Sequence, residues 1–350
     1  MTERENMLRV IRFERPDYIP MKFCINNACW QNYPQEFLFE QMEAHKFLFP
    51  DFKRPEGKYV PEFHSVGRKD EPFVDDWGCT WETAENGITG TVTKHPISDW
   101  AAFENYKAPD PGVCMGIGPV DWDEEKKKIE LEKAQGKAIN RGLRHGHTFL
   151  QLCDMRGYEN LMFDMVDEEP RLDKLIEMIE EFNMYIVNKY IELGADIITY
   201  AEDLGMQHGP MLSPAHFRRY IQPSYMRLMK PAQDKGLIVH MHSDGDLRVL
   251  LDDMLECKIN IINLQDLVNG IDWIAEKLAG RYCIELDIDR QFVTAGGTPK
   301  QVDDLIREEV SKIGRKEGGL MMIYGLYPGI PLENIKALMD AMEKYAFYYS

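Results

Sequence analysis

The stretch Val239-His-Met-His-Ser-Asp-Gly-Asp246 decides the reading of the fold. It follows a turn-forming Asp234-Lys-Gly236 and the apolar Leu237-Ile238, so it reads as a buried strand that runs into a loop. Alternate residues of a strand share a face. His240, His242 and Asp244 therefore point one way, and Met241 and Ser243 the other. Two imidazoles and a carboxylate at the end of an apolar strand are costly to bury without partners. A metal, an acidic substrate or a proton-transfer role would account for them. For His240, deeper in the strand, an ordinary hydrogen-bonded place in the core accounts for it as well.

Working outward, strand-like pieces recur at 139–144, 196–201, 259–265, 282–288 and 320–325. Helical patterns lie between most of them, at 168–193, 214–235, 246–257, 269–279 and 299–316. Strands alternating with helices imply parallel βαβ units. With Tyr18–Ile25 as a first strand, and one more expected in the first half, the count approaches eight. The pattern predicts a (β/α)8 TIM barrel rather than an open doubly wound sheet, since no Gly-x-Gly-x-x-Gly follows a first strand and no Walker motif is present. Residues 1–350 read as one barrel domain with an N-terminal elaboration. That elaboration is a short helix at 3–13 and an inserted mixed segment around 27–135, rich in aromatics, prolines and charges. Within the insertion, Trp77–Trp81 and Ile88–Val92 suggest a small hairpin, and Asp121–Lys137 a charged, solvated helix.

Composition narrows the function classes. The net charge of -18 repels phosphate backbones, so no nucleic-acid partner is expected. No apolar run reaches the roughly 20 residues of a membrane helix, and the charged Met1-Thr-Glu-Arg-Glu-Asn start does not resemble a signal peptide. The seven cysteines form no Cys-x-x-Cys pair, which suits a reducing compartment better than a disulfide framework or zinc ribbon. A cytoplasmic protein is the expectation.

Barrel enzymes place their active sites at the C-terminal ends of the strands. Here those ends carry Asn26, Asn27, His145, His147, Glu202, Asp203, His242, Asp244, Asn263, Gln265, Asp287, Asp289 and Tyr324. Imidazole and carboxylate suit zinc and other divalent ions. His242 and Asp244 are two such groups, and Glu202 is the natural third unless it caps the following segment. Asp203 falls on the opposite side of its strand and reads as structural. Asp287 shares a face with Cys283, Glu285 and Asp289. So many acidic groups on one inward face must be partly neutral, paired or metal-bound, although Asp289 also fits a helix cap. His145, His147 and Phe149 would suit a flat ring substrate, or a loop packed on the barrel mouth. Tyr324 is a pocket or a core residue. Arg144, Arg156 and Arg290 are candidate cations for an anionic substrate, or members of ion pairs.

Several motifs fall in a familiar order. Glu202-Asp-Leu-Gly205 leads to Ser213-Pro214, and His242-Ser-Asp-Gly245, Asp287-Ile-Asp289, Gly297-Thr-Pro299 and Pro331-Leu-Glu-Asn334 follow. Upstream stand Arg156-Gly157 and Phe163-Asp164. The chain resembles the uroporphyrinogen decarboxylase superfamily over nearly its whole length, most strongly from 145 to 340. That superfamily contains decarboxylases and corrinoid-dependent methyltransferases. Its decarboxylases grip their substrate with an arginine-rich Met-Arg-Gln-Ala-Gly-Arg segment after the first strand, where this chain reads Met21-Lys-Phe-Cys-Ile-Asn-Asn-Ala-Cys-Trp30. Its methyltransferases hold zinc through His-x-Cys and a distant cysteine. Here Asp244 replaces the first cysteine and none follows Cys283. An oxygen- and nitrogen-ligated zinc is a harder Lewis acid, suited to polarising an ether oxygen.

The resemblance therefore implies the substrate-side component of an O-demethylase. Such an enzyme moves a methyl group from a small methoxylated aromatic to the cobalt of a corrinoid protein. Glu202, His242 and Asp244 would be catalytic, and Glu202, His242 and Asp287 would hold zinc. His145, His147, Phe149, Asn263, Gln265 and Tyr324 would bind substrate. The alternatives are a decarboxylase of a small aromatic acid and a non-catalytic corrinoid- or tetrapyrrole-binding protein. A homodimer is one option for the assembly.

Overall fold

The computed structural model describes all residues from 1 to 350. Its strands are β1 (Met21–Ile25), β2 (Phe73–Val74), β3 (Thr80–Glu82), β4 (Thr91–Lys94), β5 (Asn140–Gly142), β6 (Ile197–Asp203), β7 (Ile238–Asp244), β8 (Ile261–Gln265), β9 (Cys283–Asp287) and β10 (Leu320–Leu326). Seven of them form one sheet in the order β1-β10-β9-β8-β7-β6-β5, and every neighbouring pair is parallel. Helices follow most of these strands, including Pro170–Leu193, Gln222–Asp234, Pro299–Ile313 and Leu332–Ala346. The architecture is the expected α/β barrel class, with a seam between β1 and β5.

The eighth strand expected in the first half does not join this sheet. The β-forming stretches of that region pair with one another instead. β3 lies between β2 and β4 in a small antiparallel sheet, which is the hairpin suggested by Trp77–Trp81 and Ile88–Val92. The charged helix also forms, over Trp122–Ala134, with Asp121 accepting from the N–H groups of Asp123 and Glu124 at its start. The helical pattern at 246–257 shortens to Leu251–Leu255, and the helices Phe149–Arg156, Tyr158–Val166 and Leu332–Ala346 were not anticipated.

The two ends of the barrel differ, which is what positions the site. The first helix, Glu3–Arg12, starts with a Thr2–Glu5 capping box. It lays Val10 and Ile11 against the inward residues Ile261, Cys283 and Met321, and so closes the N-terminal end with apolar side chains. Arg4 fastens it through Asp196 at 2.7 Å. The larger core fills the layer between strands and helices, where Ile198, Tyr200, Val239, Met241, Ile262, Leu264, Ile284 and Leu286 are buried. Strand alternation then leaves the other parity for the barrel interior. On β7 that parity is His240, His242 and Asp244.

Candidate active site at the barrel mouth

β6 and β7 run parallel in a register that sets Ala201 beside His242 and Asp203 beside Asp244. His145 reaches the same place from the loop after β5. Its Nε2 lies 3.2 Å from Asp203 Oδ1, and His242 Nε2 lies 3.6 Å from that oxygen. The ligand-capable atoms of His145, Asp203 and His242 all fall within 4.8 Å of one another. Asp244 Oδ1 stands 3.9 Å from His242 Nε2 and is buried without a hydrogen-bond partner.

Charge follows from this packing. Burial works against an imidazolium at His242, but the hydrogen bond to Asp203 and the charge of Asp244 outweigh it and push the group up to about 9. Burial alone would raise Asp203. Its bonds to His145 and His242 reverse that and hold its carboxyl well below the usual range. Deeper in the barrel, Glu285 is likewise held down against its burial, by His240, whose Nε2 lies 2.9 Å from Glu285 Oε2. On the far side of the mouth Arg290 lies 3.0 Å from Asp287 and 3.5 Å from Asp244, with its guanidinium over the ring of Tyr327. Burial pushes Asp287 up to about 7 even though Arg290 opposes it, and its Oδ1 is buried without a partner. The inward acids are thus paired or partly neutral, as their crowding demands.

The structure brings together only some of the residues nominated from sequence. His145, His242, Asp244, Asn263, Gln265 and Asp287 line the interior at the mouth. Asn263 bonds His242 Nδ1, and Gln265 accepts from the Gly245 N–H at 3.0 Å. Glu202 does not join them. Its parity on β6 is that of Ile198 and Tyr200, so it faces the helix layer and is fully buried. There it accepts from the N–H groups of Thr148, Phe149 and Leu150 at 2.5, 3.0 and 3.2 Å, capping the helix Phe149–Arg156. Burial pushes it up to about 7, with the Thr148 and Leu150 N–H groups pulling the other way.

His147, Phe149 and Tyr324 also lie outside the mouth. The His147 ring sits between Tyr200 and Tyr225, where burial drives it down to about 3. Phe149 is enclosed in the core. Tyr324 packs against Phe23 and bonds Thr294 at 3.3 Å. Arg144 pairs with Asp154 at 2.8 Å, and Arg156 pairs with Asp164 at 2.8 Å while stacking on Trp100. Asp289 caps the segment after β9, accepting from the N–H groups of residues 291 to 294.

The mouth residue that sequence reasoning missed is Asp203. The signal was present in β6 itself. The bulky Ile198 and Tyr200 mark the helix-facing side, so Glu202 belongs with them, and the small Thr199 and Ala201 mark the interior, where Asp203 follows.

With this geometry in view, the chain belongs to the uroporphyrinogen decarboxylase (URO-D) family, whose sequence model matches residues 75–345. It is similar to the uroporphyrinogen decarboxylase of Thermus thermophilus, with 28% identity over 188 residues that cover 52% of this chain and 51% of that protein. It is also similar to the methylcobamide:CoM methyltransferase MtaA of Methanosarcina barkeri, with 24% identity over 195 residues, 55% of this chain and 54% of that one. The chain spans about half the length of the curated relatives it matches. A solved methyltransferase structure from Methanosarcina mazei aligns over 99% of both chains with a TM-score of 0.67 and 18% identity, a likeness in fold. No helix is long and apolar enough to cross a membrane.

Proposed function

We propose that the protein is a zinc-dependent methyltransferase that moves a methyl group from a methoxylated aromatic to the cobalt of a separate corrinoid protein. The observation that carries this reading is the triangle of His145, Asp203 and His242 at the mouth. Two imidazole nitrogens and one carboxylate oxygen make a donor set of the kind found in catalytic zinc sites, where three protein ligands leave one position open. The orphaned Oδ1 of Asp244 is a further hard donor beside it, 3.9 Å from His242 Nε2, whereas Asp287 pairs with Arg290 on the far side of the mouth. His145 and Asp203 thus take the place that the sequence had suggested for Glu202. A zinc ion held there would supply Lewis acidity toward an ether oxygen.

The side chains supply the rest. Asn263 orients His242 through its Nδ1 side, and Arg290 would offer a cation to the charge that builds on a departing phenolate. Fixed charges held by the protein act on such a transition state without reorganising. The arrangement also disfavours a polycarboxylate substrate. Arg144 and Arg156 are locked in buried ion pairs, and Arg290 is held by two carboxylates. One substrate carboxylate could still meet Arg290, which keeps decarboxylation of a small aromatic acid as the second reading.

Zinc analysis and single-turnover methylation of cob(I)alamin by a panel of methoxylated aromatics test the proposal. About one zinc per chain is expected, lost in Asp203→Asn and His242→Ala with the circular dichroism spectrum unchanged. Methyl transfer should need the corrinoid. A protein that takes up no divalent metal, methylates no cobalt and releases carbon dioxide from an aromatic acid would replace this reading by the second.

A further inference from the structure

Beneath the mouth a chain of polar side chains descends into the barrel. His240 Nε2 lies 2.9 Å from Glu285 Oε2. The Asn263 amide nitrogen donates to the same Oε2 at 3.1 Å and to the Glu285 backbone carbonyl at 3.0 Å. The Asn263 carbonyl oxygen then faces His242 Nδ1. Strand register assembles this line, because His242 is paired with Asn263 across β7 and β8, and Asn263 with Glu285 across β8 and β9.

The chemistry of the chain allows one arrangement of protons. Both groups on the Glu285 side are oxygen acceptors, so the amide of Asn263 must turn its nitrogen toward them. The flipped amide would set its oxygen against both acceptors and its nitrogen against His242, losing two hydrogen bonds at a position only 3% exposed. With the nitrogen so placed, the oxygen presented to His242 can only accept. Nδ1 must therefore be the nitrogen that carries a proton, and Nε2, the atom facing Asp203 and Asp244, is the one left free when the ring is neutral. A metal-binding histidine needs this division, in which one nitrogen is held by a hydrogen bond and the other offers its lone pair.

We infer that Glu285 and Asn263 form a positioning relay that fixes the proton of His242 on Nδ1 and directs its Nε2 lone pair to a divalent cation at the barrel mouth. The cation rests on the proposed function, whereas the position of the proton does not. Glu285 and Asn263 touch neither cation nor substrate. They act through His242, and His240 holds Glu285 from below.

The test is nitrogen-15 NMR of histidine-labelled protein, with His242 assigned by the signal that disappears in His242→Gln. The spectra are taken at alkaline pH, where the ring is neutral, and again with zinc added. In the wild type Nδ1 should keep the proton and Nε2 lose it. Asn263→Leu should mix the two tautomers and weaken zinc binding by about 10–100-fold. Glu285→Gln retains an acceptor for the Asn263 amide and should preserve the tautomer, which a merely structural role would not predict. A wild-type ring with its proton on Nε2 would overturn the relay whatever the metal does, and needs no variant to fold. Unchanged zinc affinity in folded Asn263→Leu would overturn it too. A proton fixed on Nδ1 in a protein that binds no zinc would uphold the relay and reject the metal.

Discussion

Gly205 and Gly245 stand where the loops after β6 and β7 touch, and replacing Gly245 tests how tightly this contact sets the mouth. Gly245 has φ +84, and a Cβ there would lie 2.2, 2.3 and 2.6 Å from the carbonyl carbon, oxygen and Cα of Gly205. The obstacle is backbone on both sides, since a Cβ at Gly205 would meet Asp246 N and Gly245 C at 2.5 Å. An alanine pays twice for the substitution, in conformation and in space. The left-handed conformation costs about 1–2 kcal/mol, and overpacking against a rigid neighbour about 1–3 kcal/mol. Gly245→Ala should therefore lose roughly 2–5 kcal/mol. Gly209 is the control. It has φ +80 but nothing within 4 Å of its Cβ position, so Gly209→Ala should show only the conformational part. Equilibrium urea unfolding of both variants measures the two losses, read from midpoints at constant m. Because Asp244 precedes Gly245 and its N–H donates to Asp203 at 3.2 Å, Gly245→Ala should also weaken zinc binding, and Gly209→Ala should not. Equal losses in the two variants would refute the contact argument.

Three further outcomes follow from buried charge. Glu309 is fully buried, and burial together with the charge of Asp266 holds its carboxyl protonated far above the ordinary range. The native state then keeps a proton that the unfolded chain releases above about pH 4.3, so the stability this group confers drains away as pH rises. Glu309→Gln should gain on the wild type in urea midpoint from pH 4 to pH 9, and parallel curves would reject the idea. His147 behaves oppositely, being held to about 3 by burial while the unfolded histidine titrates near about 6.5. The wild type should lose up to about 1.4 kcal/mol per pH unit from this residue as pH falls through that window, and His147→Phe should remove that slope in acid unfolding curves. Glu202→Ala strips the acceptor from three N–H groups at a helix start and should cost about 2–4 kcal/mol in urea unfolding. The zinc content per folded chain should persist, whereas Asp203→Asn abolishes it. Zinc loss in folded Glu202→Ala would return that residue to the metal.

Parity within single strands explains what the sequence disclosed and what it hid. The fold class was legible because β6 to β10 are short apolar runs separated by helical patterns, and local periodicity reports such units directly. The inward set on β7 was legible for the same reason, since Val239 and Met241 mark its helix-facing side. The seam was not, because whether β1 and β5 meet depends on residues more than a hundred positions apart, and the hairpin signal at Trp77–Trp81 and Ile88–Val92 does not record that no strand of this region joins the barrel sheet.

At the site the decisive ambiguity was one residue wide. Glu202 and Asp203 are adjacent acids, and a shift of one position moves a side chain to the other face of a sheet. The same holds for His145 and His147. They share a parity only if the loop between them is extended, and Gly146 at φ +75 breaks that periodicity. His145 then turns to Asp203 while His147 turns to Tyr200 and Tyr225. The two misplacements have one structural origin. Glu202 binds the N–H groups of residues 148 to 150, and this places the loop so that His145, and not His147, overlooks the mouth. The residue that leaves the site is the one that holds the loop in the position from which His145 enters it.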